Sequence, residues 1–186
     1  MSEGALGPAA EERMAKSVEA LRHDLAVIRT GRASPALLER VLVDYFGTPT
    51  SVSSLATVSV PEPRMLMIQP WDRQTLPAIE RAIQKSDLGL TPNSDGTAIR
   101  LIIPQLTDDR RKELARMVQR RTEEARVAVR NCRRDALESL RREEREKVIS
   151  EDDLHRGQEH LQKVTDQWIV KVDEVGKDKE REIMEA

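Results

Sequence analysis

Apolar positions recur with helical spacing in three separate stretches of this chain. From Thr107 to about Glu146 there is no Gly or Pro, and Ala, Leu, Arg, Glu and Lys dominate, so summed propensity predicts one long helix. At about 100° per residue, Val118, Ala125, Val129, Cys132 and Ala136 fall within a sector of about 60°. Thr107 is placed to cap this helix, with Asp108 and Asp109 in its first turn, where carboxylates favour the positive end of the dipole. Near the amino terminus, Met14, Val18, Leu21, Leu25 and Ile28 follow the heptad spacing of a helix that packs lengthwise on others and runs to about Arg29. Ser2 to Pro8 should be a loose lead to it, with Pro8 tolerable at the helix start. A third helix carries Leu154, Leu161, Val164, Trp168, Val172 and Val175 on one face. Ser150 as N-cap with Asp153 three positions on, and Ile149 placed to pack on Leu154, has the form of a capping box with its staple. Three such seams predict a three-helix bundle.

Between the first and second seams the period changes from helical to alternating. Arg29-Thr30-Gly31-Arg32-Ala33-Ser34-Pro35 breaks the first helix, because Gly permits a left-handed cap and Pro restricts the residue before it. Val41, Val43 and Tyr45 then alternate with Leu42, Asp44 and Phe46, and Gly47-Thr48-Pro49 turns the chain. Short strand-like runs follow at Thr57–Val60, Met65–Ile68 and Ile99–Ile103; Met65-Leu66-Met67-Ile68, apolar on both faces, suits a covered strand. The Pro61-Glu62-Pro63 turn is stiff and sits where it can alter the edge of a sheet. Pro77, Ile79, Ala82 and Ile83 make one short amphipathic helix, and Thr91 to Gly96 is a turn cluster. Residues 31–106 therefore read as a small α+β domain inserted into a helical domain made of residues 1–30 and 107–186. Its two joints, Arg32-Ala33-Ser34-Pro35 and Pro104-Gln105-Leu106, lack apolar spacing and are expected to act as hinges.

Charge changes this picture from architecture to partner. A charged fraction of 34% against 38% hydrophobic fits an elongated helical molecule with much solvated surface. The net charge is only −2, but residues 107–150 hold 14 basic and 10 acidic groups while 151–186 hold 6 and 11. The positive field thus belongs to one helix, and a polyanionic partner is compatible with the mild overall charge. Arg126, Arg130 and Arg133 stand at i, i+4 and i+7, a second stripe about 100° from the seam. Most such faces are solvated and laced with i,i+4 pairs, yet seven arginines from Arg116 to Arg134 face only Glu123 and Glu124. Planar guanidiniums, with Lys112 the only lysine from Thr107 to Glu146, suit phosphate recognition. The four aromatic residues of the chain offer no base-stacking platform, so RNA would be read through backbone and shape.

Other chemistries have no support. His23, His155 and His160 lack metal-ligand spacing, and there is no phosphate-cradling glycine loop and no nucleophile elbow. Cys132, the single cysteine, falls on the seam and reads as a small buried hydrophobe. Trp168 reads as bundle core and Trp71 as an anchor of the small domain. No run approaches the length of a membrane span and the amino terminus lacks a signal-peptide pattern, so the expected setting is the cytoplasm, with no enzyme activity and no cofactor.

Five segments together resemble the ribosome recycling factor family: Ile28 to Pro35, Tyr45 to Pro49, Ser86 to Asn93, Ala125 to Asp135, and Ile149 to Asp153. They come in that family's order and spacing and span essentially the whole chain. The resemblance implies an L-shaped α+β molecule, an antiparallel three-helix bundle with an inserted β/α/β sandwich. It implies a monomeric translation factor that binds large-subunit ribosomal RNA on the post-termination ribosome and, with elongation factor G and that partner's GTP hydrolysis, splits the subunits. It places RNA contacts on Arg111, Arg130 and Arg133, with Arg29 and Arg32 as secondary candidates, and Arg126 joins them through the stripe. The lead with Gly4, Gly7 and Pro8 departs from the family by shortening the first helix. The rival class is a helical adaptor that uses its seams to bind partner helices, for which free apolar stripes would be the mark.

Overall fold

The computed structural model describes residues 6–185. In chain order it contains helix α1 (Leu6–Ala26), strands β1 (Leu42–Tyr45), β2 (Thr48–Ser51), β3 (Ala56–Glu62) and β4 (Met65–Pro70), helix α2 (Leu76–Lys85), strands β5 (Asn93–Ser94) and β6 (Ile99–Ile102), and helices α3 (Asp108–Arg145) and α4 (Glu151–Glu185). These form two compact units, one of residues up to Arg29 with Asp108–Glu185, the other Thr30–Thr107. Among the described residues, no helix is long and apolar enough to cross a membrane.

In the helical unit each of the three long helices packs on the other two. Thr122 meets Gly176, Arg126 meets Asp173, Arg133 meets Gln162 and Leu140 meets Gly157, so α4 runs back along α3 at constant register. Arg13 of α1 reaches Asp135 near the far end of α3 at 2.9 Å, the sign of a second antiparallel pair. Met14, Val18, Leu21 and Leu25 are buried, as are Val118, Ala125, Val129, Cys132 and Ala136, and Leu161, Val164, Val172 and Val175. The Ser150 cap forms as expected: Asp153 N–H donates to Ser150 Oγ at 3.1 Å and Ser150 N–H donates back to Asp153 Oδ2 at 3.2 Å.

Four expectations need correction here. Helix α1 ends at Ala26 rather than Arg29, and Ile28, whose N–H donates to Leu25 O at 3.1 Å in a tighter closing turn, is only half-buried. Leu6 to Pro8 already belong to α1, while the rest of the expected lead, Gly4 included, lies outside the described residues. Trp168 is half-buried, because its indole lies at the bundle edge with Lys171 Nζ 3.9 Å above the ring, a cation–π contact. Leu154 is likewise half-buried rather than core.

In the small unit all pairings are antiparallel: a β1–β2 hairpin, and a four-stranded sheet in the order β3-β4-β6-β5. Leu66 and Ile68 of β4, Ile99 and Leu101 of β6, and Ile79 and Ile83 of α2 share one buried cluster with Val43 of β1. Helix α2 thus covers one face of the sheet, and Met65 and Met67, on the other face of β4, remain half-buried instead of fully covered. Pro61 falls where the β3–β4 register shifts, on an edge strand that can spare its missing N–H. The expected turn at Gly47-Thr48-Pro49 is tighter, with Phe46 and Gly47 as its centre, and Thr48–Ser51 is a strand. Asn93–Ser94, inside the expected turn cluster, pairs with β6 as a short edge. Trp71 is no anchor: it is exposed, and its Nε1–H donates to Thr57 Oγ1 at 3.0 Å.

Candidate nucleic-acid interface

Helix α3 positions the basic groups by its period. Its seam is held down by α1 and α4, which brings Arg126, Arg130 and Arg133 to the flank beside α4, about 60–120° from the seam's centre, and Arg116, Arg120 and Arg134 to the outermost face at about 160–200°. The two sets differ in what holds them.

The flank is braced. Arg126 Nε donates to Asp173 Oδ1 at 2.7 Å and its NH1 to Glu123 Oε2 at 2.7 Å. The Glu123 bond first, and Asp173 next, hold this guanidinium above its ordinary pKa, while the Arg126 bond holds the Glu123 carboxyl below the usual range. Arg130 shares the same glutamate through a longer 3.5 Å contact to Oε1. Arg133 differs in kind, since NH1 donates at 2.8 Å to the amide oxygen of Gln162, whose Nε2 donates in turn to Asp166 Oδ1 at 2.8 Å. That chain fixes the amide orientation and aims the guanidinium without neutralising it. Its charge is therefore fully available to an outside anion, and part of the ordering cost of a long side chain is already met by the fold.

The other candidates are distributed more widely. Arg111 stands on the seam side of α3, only 19% exposed, with NH1 3.5 Å from Asp108. Arg29 closes the helical unit, whereas Arg32 belongs to the small unit, and both are exposed. Sequence reasoning passed over the outermost set: Arg116, Arg120 and Arg134 are exposed, and their guanidiniums have no hydrogen-bond or ion-pair partner among the described residues. Spacing alone does not mark this set, since Glu123 and Glu124 stand at i+3 and i+4 from Arg120 as well; in the fold Glu124 is taken by Arg121 and Glu123 by Arg126 and Arg130. It also passed over Gln162, which nothing in its own heptad marks.

Beside Arg133, an open groove of about 320 Å³ runs between α3 and α4, lined by Arg133, Leu137, Arg141, Gln158, Leu161 and Gln162. Two guanidiniums, two amides and two leucines offer charge to phosphate oxygens and donors and acceptors to sugar hydroxyls. The surface can bind a polyanion. Among the described residues no group of three or more His, Cys, Asp or Glu side chains could hold a metal.

Comparison with known proteins places this arrangement in context. The family model described as "Ribosome recycling factor" matches residues 21–184. The ribosome-recycling factor of Syntrophomonas wolfei is 56% identical over 176 residues, covering 95% of each chain. That of Heliobacterium modesticaldum is 58% identical over 176 residues with the same coverage. Among solved structures, the solution structure of a ribosome recycling factor is similar at a TM-score of 0.74 and 44% identity, over 97% of this chain and 96% of that one. A second, of the T. thermophilus ribosome recycling factor and the E. coli elongation factor G bound to the E. coli post-termination complex, aligns at a TM-score of 0.62 and 47% identity, over 96% of both chains.

Proposed function

The chain belongs to the ribosome recycling factor family, and from that premise we propose that it binds the post-termination ribosome through α3 and, with elongation factor G, parts the subunits for reuse. In this reading GTP is hydrolysed by the partner, this chain catalyses nothing itself, and it works as a monomer in the cytoplasm. The observation that carries the reading is Arg133, held by the neutral Gln162 at the open groove between α3 and α4, with no carboxylate to neutralise its charge. Arg130, weakly held, acts beside it on large-subunit RNA backbone, and Arg126 serves mainly to tie α3 to α4. Arg111, Arg29 and Arg32 are secondary contacts.

The joints at Arg32 to Pro35 and Pro104 to Leu106 are proposed to let the small unit move. Ala33 N–H donates to Pro63 O at 2.8 Å and Ser34 Oγ caps the short helical turn Pro35–Leu38, so these residues travel with the small unit. In this reading the rotation at the first joint is taken up just before them, at Arg29 to Gly31, and at the second joint at Pro104 to Leu106. An adaptor that binds foreign helices is disfavoured, since the three seams are buried against one another.

Sedimentation with vacant ribosomes tests the RNA contact. Arg133→Ala should weaken binding by about ten-fold or more, since a charge-assisted bond contributes ~1.5–3 kcal/mol, with an unchanged melting temperature. Unchanged binding, or early melting with intact binding, would remove Arg133 from the interface.

A further inference from the structure

The groove between α3 and α4 is built from two facing rows. On α3, Arg133, Leu137 and Arg141 follow one another at intervals of four, so a leucine stands between two arginines that are about 12 Å apart along the helix axis. On α4, Gln158, Leu161 and Gln162 line the opposite wall, at the antiparallel register that also sets Leu140 against Gly157. The two ends of the groove are prepared differently. At one end Arg133 NH1 donates to the Gln162 amide, which Asp166 holds in turn. At the other, the exposed Arg141 and the half-buried Gln158 have no hydrogen-bond or ion-pair partner among the described residues. No carboxylate lines the groove, so two guanidiniums and an uncommitted amide face a space that their own fold does not neutralise.

The chemistry of that space narrows its occupant. A duplex backbone offers phosphates and sugars to a basic ridge, for which Arg130 and Arg133 suffice, and it makes no use of a leucine floor or an uncommitted amide. An unpaired nucleotide uses all of them. Its phosphate pairs with one guanidinium, its ribose covers Leu137, and its base can lie against the plane of the other guanidinium, a stacking surface that serves RNA recognition where no aromatic ring is present. The Gln158 amide offers an acceptor and a donor side by side, the pattern that bonds bidentately to the edge of adenine. At about 320 Å³ the groove lies at the small end of the ~300–1,000 Å³ of small-ligand sites, room for one nucleotide but not for paired strands.

We propose that this groove seats a single unpaired adenine nucleotide of RNA, with its phosphate on Arg133, its base against Arg141 and its edge read by Gln158; this rests on the RNA contact of α3 proposed above and adds a base-specific site to it. Arg133 is oriented in advance by Gln162, whereas Arg141 and Gln158 become ordered when the base arrives.

NMR of the isotope-labelled wild-type chain tests the seat directly. Titration with an adenine hexaribonucleotide should shift the side-chain amide signals of Gln158 and Gln162, a uracil hexaribonucleotide should shift them less, and a GC duplex of RNA should leave the Gln158 signal in place. A Gln158 signal that the adenine strand does not move, or that the duplex moves as far, would overturn the seat. In sedimentation with vacant ribosomes, Gln158→Leu and Arg141→Ala should each weaken binding about five-fold or more, at an unchanged melting temperature. Wild-type binding by both variants beside a weakened Arg133→Ala would remove the seat and keep the RNA contact of α3, whereas wild-type binding by all three would remove the contact and the seat together.

Discussion

Arg126 and Arg133 stand seven residues apart on one stripe of α3, yet their donors are committed differently. Two carboxylates hold Arg126, at 2.7 Å each, whereas a neutral amide holds Arg133 at 2.8 Å. An RNA phosphate would have to displace Glu123 or Asp173 from the first but can add to the second, so at this scale orientation without neutralisation is what makes an arginine useful. The same contrast between a group's type and its partners governs Asp95. Its carboxylate accepts from Thr97 Oγ1 at 2.7 Å, from the N–H groups of Thr97 and Ala98 at 2.9 Å each, and from Arg100 at 2.8 Å, and these bonds, Thr97 first, hold it well below the usual aspartate pKa. A carboxyl depressed in the folded state stabilises above its unfolded pKa, and that contribution disappears as pH falls through the folded value. Between neutrality and the ordinary aspartate range, wild type and Asp95→Asn should therefore keep a constant stability difference. Below that range the wild type should lose its advantage. Chemical denaturation across pH reads this out; a difference that does not change in acid would mean that the loop before β6 draws nothing from the ionised carboxylate.

At the scale of elements, close approach of helices depends on two glycines of unequal importance. A Cβ on Gly176 would lie 2.6 Å from Thr122 Oγ1, and Thr122 is itself buried and bonded to Val118 O at 2.8 Å. A Cβ on Gly157 would meet only Leu140 Cδ1 at 3.0 Å, the far end of a flexible side chain. Gly176→Ala should accordingly cost ~1–3 kcal/mol through overpacking, while Gly157→Ala should be near neutral because removing a helical glycine gains up to ~1 kcal/mol. Gly157→Leu should be worse than Gly157→Ala. Equal urea midpoints for Gly176→Ala and Gly157→Ala would show that α3 and α4 can slide to relieve the contact. The helix order also decides where the basic flank sits, since Asp173 and Gln162 can brace α3 only if α4 is antiparallel at this register.

At the scale of the whole molecule, the basic excess of 107–150 nearly cancels the acidic excess of 151–186, and with one further negative charge from residues 1–106 the net charge of −2 hides an uneven distribution. Binding to RNA phosphates through α3, as proposed, would release counterions, so affinity for vacant ribosomes should fall steeply with salt. On a log–log plot the slope should shrink by about one for Arg130→Ala and about one for Arg133→Ala, and hardly at all for Arg126→Ala. A slope that none of the three variants alters would exclude this flank from phosphate contact and move attention to Arg116, Arg120 and Arg134.

The sequence by itself determined the three seams, the long helix between Thr107 and Glu146, the Ser150 cap and the change of period that sets off residues 31–106. Each of these is written within a few residues, since a helix brings i, i+3 and i+4 together and a capping box closes over three positions. Only the tertiary structure decided which arginines remain available, because Arg126 is matched to Asp173 across 47 residues and Arg133 to Gln162 across 29. It decided the tryptophans too: Trp71 is exposed and Trp168 half-buried, as each lies at an edge that its own spacing cannot locate. The strands Thr48–Ser51 and Asn93–Ser94, rich in turn-forming residues, exist because β1 and β6 offer them unpaired backbone groups. Periodicity tells a residue which side of its own element it occupies, and the facing element, fixed only by the fold, decides what it meets there.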